Sequence, residues 1–397
     1  MERSHASDAL PNRTNAGAKG HPGVVAARQT RTRTMRRDLL LLKVLQSPSL
    51  GPAIRWLVDP QRVLHVGMGF WSSRVVLTAV EIGLFTELAK RPRPLQEVID
   101  HFGWHPRAAH AFLEALVGLE LLTRDAASVY ANSRQAALFL DRAQPSYLGG
   151  LLELSSTRLY DLWSGLGDLL KTGRPQAKED PDGNDFFGTL YRDPEALRKF
   201  LSGMTGISMG EAVPIAAHFP WKRFKTFVDI GAAQGVLPVV VALTHSHLTG
   251  ASYDLAAVQP IFEDYIASFD LSERLRFLPG DMHAGPLPSA DVICFGHLLH
   301  GFGEEKRRTL IAKSYAALPP GGTILIYDAM IAAGRRRNYV SFLSSLNIML
   351  ETRDGFEATT DQCAQWLRDA GFVRVTTRHV LGPTSMVFGF KPQGARQ

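Results

Sequence analysis

Phe227-Val228-Asp229-Ile230-Gly231-Ala232-Ala233-Gln234-Gly235 restricts this chain more than any other stretch. An apolar run ends in an acid and a glycine, and a second glycine follows four residues later. Such a run reads as a buried strand that turns sharply into a helix while its backbone approaches a nucleoside-bearing ligand. Glycine is needed where a Cβ would block the turn or the ligand. The helix N-terminus that follows favours negative charge, such as a carboxylate. The Asp-x-Gly-x-x-x-Gly spacing differs from Gly-x-Gly-x-x-Gly and so disfavours a dinucleotide dehydrogenase. A tight turn with no ligand is the plainer alternative.

The surroundings of the loop set the fold class. From Phe224 onward, strands are expected at 226–230, 250–255, 275–279, 292–296 and 323–327, with helices between them. A final antiparallel pair is expected at 373–379 and 385–390. This alternation predicts an α/β fold, a doubly wound and mostly parallel sheet with its ligand at the carboxyl ends of the strands. Upstream, helical patterns are followed by two short strands around Asp125-Ala126-Ala127, which reads as a winged-helix-like unit. The expected organisation is a disordered basic leader (1–37), a winged-helix-like domain (38–140), a helical linker (141–222) and a ligand-binding catalytic domain (223–397). Tyr147–Leu170 reads as one long helical segment, and the polar stretch from Thr172 to Asp185 as a loop or lid edge.

A net charge of +6 suggests nucleic acid until it is located. Residues 1–37 hold eight Lys or Arg against Glu2 and Asp8, so 8 − 2 = +6 is the whole excess. The rest of the chain is formally neutral. The helix from about Arg107, which a DNA reader would place in the groove, carries little basic charge. No nucleic-acid partner is therefore expected. No apolar run approaches the roughly 20 residues a membrane helix needs, and the leader lacks an apolar core. Cys294 and Cys363 cannot make a disulfide framework or a zinc site alone. Cys294 reads as a buried thiol, and a cytoplasmic location is expected.

The later strand ends carry the chemistry. Asp254, in Tyr253-Asp254-Leu255, lies 19 residues beyond Gly235, the distance at which an acid can accept two ribose hydroxyls. Asp281 and Met282 end the third strand, where they could meet an adenine amino group and ring. Cys294-Phe295-Gly296-His297-Leu298-Leu299-His300 ends the fourth. There His300 could serve as a general base near neutral pH. The His-x-x-His spacing has no third ligand at matching distance in sequence, so no metal is expected. Asp328 and Glu357 are candidates to hold the imidazole and stabilise its protonated form. Trp163, Phe186, Phe187, Phe200 and Met204 are candidates for an aromatic substrate wall, with core packing as the alternative, and His297 is a further candidate on the substrate side.

Taken together, these residues resemble the dimeric small-molecule O-methyltransferases of plants and bacteria, the caffeate, acetylserotonin and hydroxyneurosporene types. The resemblance spans roughly residues 67–392. It implies a Rossmann-like class I methyltransferase domain with a seven-stranded sheet, preceded by a winged-helix dimerisation domain, and a homodimer. It implies S-adenosylmethionine as cofactor, contacted by Asp229, Gly231, Gly235, Asp254, Leu255, Asp281, Met282, Phe295 and Gly296. It places His300 on the catalytic base, Asp328 and Glu357 on the two flanking acids, and Met204 on a substrate-side methionine. The expected reaction is O-methylation of a phenolic or enolic hydroxyl on a small aromatic acceptor. A phenol's pKa of about 10 makes unassisted ionisation at pH 7 cost about 4 kcal/mol, which a positioned base can lower. The chain departs from the family's pattern at Gly301 and Phe302, where an Asp-Trp pair is usual, and at Gly296, where some relatives carry lysine. Ala232 and Ala233 replace two glycines and are tolerable if they keep φ below zero. C- or N-methylation, a non-methylating decarboxylase or hydroxylase, and a DNA-binding regulator stay open as alternatives.

Overall fold

The computed structural model describes residues 60–144, 146–177, 186–332 and 338–393, with Met35, Arg36 and Leu40. Of Pro60, Phe186 and Phe187 it describes the backbone alone, so both phenylalanine side chains of the expected substrate wall lie outside the described residues. So do most of the basic leader and the 178–185 part of the polar linker. The chain divides into two compact units, Met1–Phe70 and Trp71–Gln397. In the first, helix α1 (Pro60–Gly67) exposes Val63, Leu64 and Val66. Among the described residues no single helix is long and apolar enough to cross a membrane.

The second unit, entered through α2 (Gly69–Glu81), begins with a small helical assembly. Gly83 turns the chain left-handed (φ 75°) into α3 (Leu84–Lys90). A short strand, β1 (Arg93–Pro94), leads to α4 (Leu95–Phe102) and α5 (Pro106–Gly118), and Pro106 starts α5 where its missing N–H costs nothing. Strands β2 (Leu122–Arg124) and β3 (Val129–Asn132) form the expected hairpin, and β1 adds to it in the order β1-β3-β2. Helix α6 (Arg134–Phe139) follows, capped by the Ser133 hydroxyl. Leu84, Phe85, Val98, Leu113, Leu116 and Tyr130 make its separate core.

The expected single helix over Tyr147–Leu170 is a continuous but irregular helical path. It runs from α7 (Gly149–Leu154) through a π turn (Ser155–Leu159), α8 (Tyr160–Leu162) and a 3₁₀ turn (Trp163–Gly165) to α9 (Leu166–Thr172). After α10 (Phe186–Leu190) comes the long α11 (Pro194–His218). Asp193 caps α11 by accepting from the amides of Glu195 and Ala196, and Pro194 occupies its first position, a start worth about 1 kcal/mol. Helices α7 and α11 cross at glycines. A Cβ on Gly150 would stand 3.0 Å from the backbone of Ser202 and Gly203.

The large sheet follows. In chain order it comprises β4 (Thr226–Ile230), α12 (Val236–Thr244), β5 (Thr249–Asp254), α13 (Gln259–Ala267), β6 (Leu275–Pro279), β7 (Val292–Gly296), α14 (Glu304–Ala317), β8 (Thr323–Asp328), α15 (Tyr339–Glu351), α16 (Thr360–Asp369), β9 (Val373–Leu381) and β10 (Thr384–Phe390). The strand order is β6-β5-β4-β7-β8-β10-β9, parallel from β6 to β8, with β10 antiparallel to both neighbours. Four of five residues in β4 and β7, and all of β8, are buried, as a sheet covered on both faces requires. One core gathers Phe219, Trp221, Phe227 and Phe262 on one face. The other gathers Ile230, Ile293, Phe295 and Leu367 on the opposite face. Between β4 and β7 the strand order reverses direction, so their carboxyl ends open the crevice where ligands of such sheets bind.

Candidate active site

The β4–α12 turn forms one wall of this crevice. Gly231 (φ 67°) and Gly235 (φ 91°) are left-handed as expected, and a Cβ on Gly235 would also stand 2.6 Å from the Phe262 ring. Ala233 does not keep φ below zero. It sits at 51°, and its amide donates to Asp254 Oδ2 at 3.3 Å. Asp254, 5% exposed, also accepts from the Leu255 amide at 2.7 Å and from the Tyr191 hydroxyl. Burial pushes its pKa up, those hydrogen bonds pull it back, and it settles at about 6. Asp229, 3% exposed, has no hydrogen-bond partner among the described residues. Burial, then repulsion from Asp254, drives its pKa well above the usual carboxylate range. A desolvated, unpaired acid beside a glycine turn fits a ligand that brings its own positive charge, as S-adenosylmethionine does.

The other wall is a chain of buried charges. His300 Nδ1 lies 2.8 Å from Asp328 Oδ1 and 3.1 Å from Glu357 Oε1. His300 Nε2 has no hydrogen-bond partner among the described residues, and the side chain is 17% exposed. His297 Nδ1 lies 3.4 Å from the same Asp328 oxygen, and its Nε2 is 2.5 Å from Glu211 Oε2 on α11. Thr384 Oγ1 donates to Glu211 Oε1 at 2.5 Å, and Ser344 Oγ donates to Glu357 Oε1 at 2.6 Å. Burial works against a charged His300, but Asp328 and then Glu357 outweigh it and push its pKa up to about 10. His297 is likewise lifted well above the ordinary value against burial, chiefly by Glu211 and Asp328. Burial opposes ionisation of Asp328, yet the two imidazoles hold its pKa far below the usual carboxylate range. The His-x-x-His pair does find a third donor in space. The donor atoms of His297, His300 and Asp328 lie within 4.8 Å of one another. Each of the three engaged ring nitrogens already faces a carboxylate oxygen, so the arrangement is an ion-paired chain.

Arg307 was invisible as a site residue, because Glu304-Glu305-Lys306-Arg307-Arg308 reads as a solvated helix face. It is 1% exposed. Its Nε donates to Phe302 O at 2.6 Å, and its second amine donates to His300 O at 3.1 Å and Phe356 O at 2.5 Å. The guanidinium stacks 4.0 Å over the Phe356 ring. It thus ties the His300 turn to the segment carrying Glu357. Glu211 left a fainter signal, a lone acid inside an apolar helical run. Tyr191 left none.

The remaining expectations fall in different places. Phe295 is fully buried in the second core, so its side chain is closed to a ligand. Gly296 is covered by Tyr327, whose ring would stand 2.0 Å from a Cβ there, so any side chain at this position requires the tyrosine to move. Leu255 is 40% exposed beside Asp254. Asp281 is exposed and accepts from the His283 amide at 2.8 Å, while Met282 packs partly into the second core. Phe302 meets His283 edge-on at 5.0 Å, and a Cβ on Gly301 would meet nothing within 4 Å. Trp163 donates from Nε1 to Asn347 Oδ1 at 2.9 Å, against the helix that also supplies Ser344. Phe200 packs against a buried cluster that includes Leu197 and Leu201, against which Ala233 of the glycine turn also packs. Met204, half-buried on α11, precedes Thr205, whose hydroxyl donates to Gln234 Oε1 at 2.6 Å.

Known proteins resemble this chain in sequence and in fold. Residues 163–373 match the O-methyltransferase domain model, and residues 64–142 match the O-methyltransferase dimerisation domain model. The chain is 42% identical over 334 residues to the tetracenomycin polyketide synthesis 8-O-methyl transferase TcmO of Streptomyces glaucescens, covering 84% of this chain and 97% of that protein. It is 34% identical over 310 residues to the N,N-dimethyltransferase OxyT of Streptomyces rimosus, covering 78% and 90%. Among solved structures, human N-acetylserotonin methyltransferase in complex with SAM superposes with a TM-score of 0.76 at 24% identity, covering 85% of this chain and 99% of that one.

Proposed function

The chain belongs to the O-methyltransferase family, and from that premise we propose that it methylates a phenolic or enolic hydroxyl of a small aromatic acceptor. S-adenosylmethionine supplies the methyl group when bound. Asp254 would hold its ribose, Asp229 would answer its positive charge, and Asp281 with Met282 would flank its adenine. The observation that carries the reading is the set of His300 contacts. Two carboxylates, 2.8 and 3.1 Å away, fix Nδ1 as a donor and leave Nε2 for the acceptor oxygen. The reactive pair is an acceptor oxyanion against a protonated imidazole. It is reached either by transfer of the hydroxyl proton to neutral His300, or from an acceptor already ionised. Positioning of the two reactants supplies much of the remaining acceleration.

N-methylation is a second reading, favoured by the relative named as an N,N-dimethyltransferase. A raised His300 opposes it, since an ammonium acceptor would be repelled. A screen of hydroxylated and aminated aromatics with methyl-labelled cofactor, read by mass, separates the two. O-methyl products that fall at least about a hundredfold in His300→Ala fit the proposal; full activity in that variant rejects the assignment. The reading carries a homodimer, supported by the dimerisation match and by the apolar residues exposed on α1. It also carries a cytoplasmic location, which two free, buried thiols suit.

A further inference from the structure

We propose that the Tyr327 hydroxyl is a further cofactor-binding group, which acts with Asp229 to hold the cationic α-amino end of S-adenosylmethionine. This rests on the cofactor reading above and assigns a new residue to the same crevice. The first support is where the sheet puts the ring. Phe227, Cys294, Leu325 and Tyr327 point into one core, while Val228, Ile293, Phe295 and Ile326 point into the other. Alternation along the strands therefore places Asp229, Gly296 and Tyr327 on one face, at the carboxyl ends of β4, β7 and β8. Gly296 pairs with Tyr327 in the parallel ladder. The tyrosine leans across that neighbour. A Cβ on Gly296 would stand 2.0 Å from its ring and 2.1 Å from its hydroxyl oxygen. The hydroxyl thus lies over β7, on the way from β8 to the strand that carries Asp229. Gly296, having no side chain, leaves it this room.

The second support is that both groups lack partners. Tyr327 is 4% exposed and Asp229 3%, yet neither the hydroxyl nor the carboxylate makes a hydrogen bond among the described residues. A buried polar group left so is costly until a ligand satisfies it. Burial, then the charges of Asp229 and Glu211, push the phenol well above its ordinary pKa, so it stays neutral. Glu211 is already engaged by His297 and Thr384, and Asp328 by His300. Asp229 is the acid left over. The third support is direction. Asp254 ends β5 and Asp281 follows β6, so the acids for ribose and adenine lie on one side of β4. A cofactor that crosses the crevice from them carries its amino-acid arm to the β7 and β8 side. There the arm's carboxylate would meet like charge from Asp229 and Glu211, whereas its ammonium meets an unpaired acid and a phenol lone pair.

Calorimetric titration with four nucleosides separates the parts of the arm. S-adenosylmethionine carries ammonium, carboxylate and sulfonium. S-adenosylhomocysteine lacks the sulfonium, S-adenosyl-3-thiopropylamine keeps only the ammonium, and methylthioadenosine has none of the three. Tyr327→Phe should bind the first three about tenfold or more weakly than wild type, and methylthioadenosine equally well. Unchanged binding of S-adenosylhomocysteine would overturn the inference. So would a loss confined to S-adenosylmethionine, which assigns the hydroxyl to the sulfonium, or a loss that spares the thiopropylamine, which assigns it to the carboxylate. A matching loss of methylthioadenosine would reduce Tyr327 to a packing role. Each of these leaves the cofactor reading standing. A wild type that binds none of the four removes that reading and the inference with it.

Discussion

Ala233 holds its backbone at φ 51°, a conformation in which its Cβ crowds the following carbonyl at a cost of about 1 kcal/mol. The same twist sends its amide to Asp254. Ala233→Gly should therefore raise stability by about 1 kcal/mol in a denaturant titration without loss of cofactor binding. A lower stability would show that the methyl group's packing beside Leu197 and Leu201 outweighs the strain. Asp328 illustrates a second residue effect, and the sign of its pH dependence can be worked out. The folded pKa of His300 is raised from 6.5 to about 10, so its pairing stabilises fully below pH 6.5 and is lost as pH rises towards 10. The Asp328 pKa is depressed below 3.8, so its contribution is present above that value and lost as pH falls beneath it. Asp328→Asn should thus lose most stability relative to wild type between pH 3.8 and 6.5, with the gap narrowing by pH 10. A pH-independent gap in paired urea titrations would contradict the pairing.

Among the elements, α14 and α11 decide how the site is held. The Arg307 side chain of α14 satisfies three carbonyls in two separate segments. Arg307→Met leaves the Phe302 and Phe356 carbonyls without this donor, while His300 O keeps the Phe356 amide at 2.9 Å, and should cost about 3 kcal/mol. Arg307→Lys should recover only part of this, because an ammonium cannot fork between them. If the clamp also aims His300, the methionine variant should lower kcat more than it raises KM for the cofactor. Equal stability of Arg307→Met and wild type would dismiss the clamp. The α14 sequence gave no warning of this, since its charge run matches a solvated face. In α16 the structure shows Thr359 and Gln362 forming a capping box, with bonds of 2.9 and 3.0 Å.

At the scale of the whole molecule, the seven-stranded sheet and the small helical assembly carry separate cores. The matched dimerisation region includes exposed Val66 (75%) and Leu64 (56%). Apolar residues so placed need a partner surface, and a second copy of the chain supplies it in the proposed homodimer. Sedimentation should give twice the chain mass, and Leu64→Asp with Val66→Asp should shift the population towards monomer. A monomeric wild type would remove the dimer.

The chain order of strands, the glycine turn and the acids at the strand ends were readable from sequence. They depend on local periodicity and on turn chemistry, which act within a few residues. His300 and Asp328 could be picked out as candidates because each follows a recognisable strand end, whereas Glu357 entered through the family resemblance. The charge state of the site was not readable. Glu211 meets His297 across 86 residues and Thr384 across 173, and Arg307 is buried by a turn and a loop that its own helix does not encode. Desolvation and pairing act through space, so only the tertiary structure decided which acids converge on the two histidines and which donors hold them.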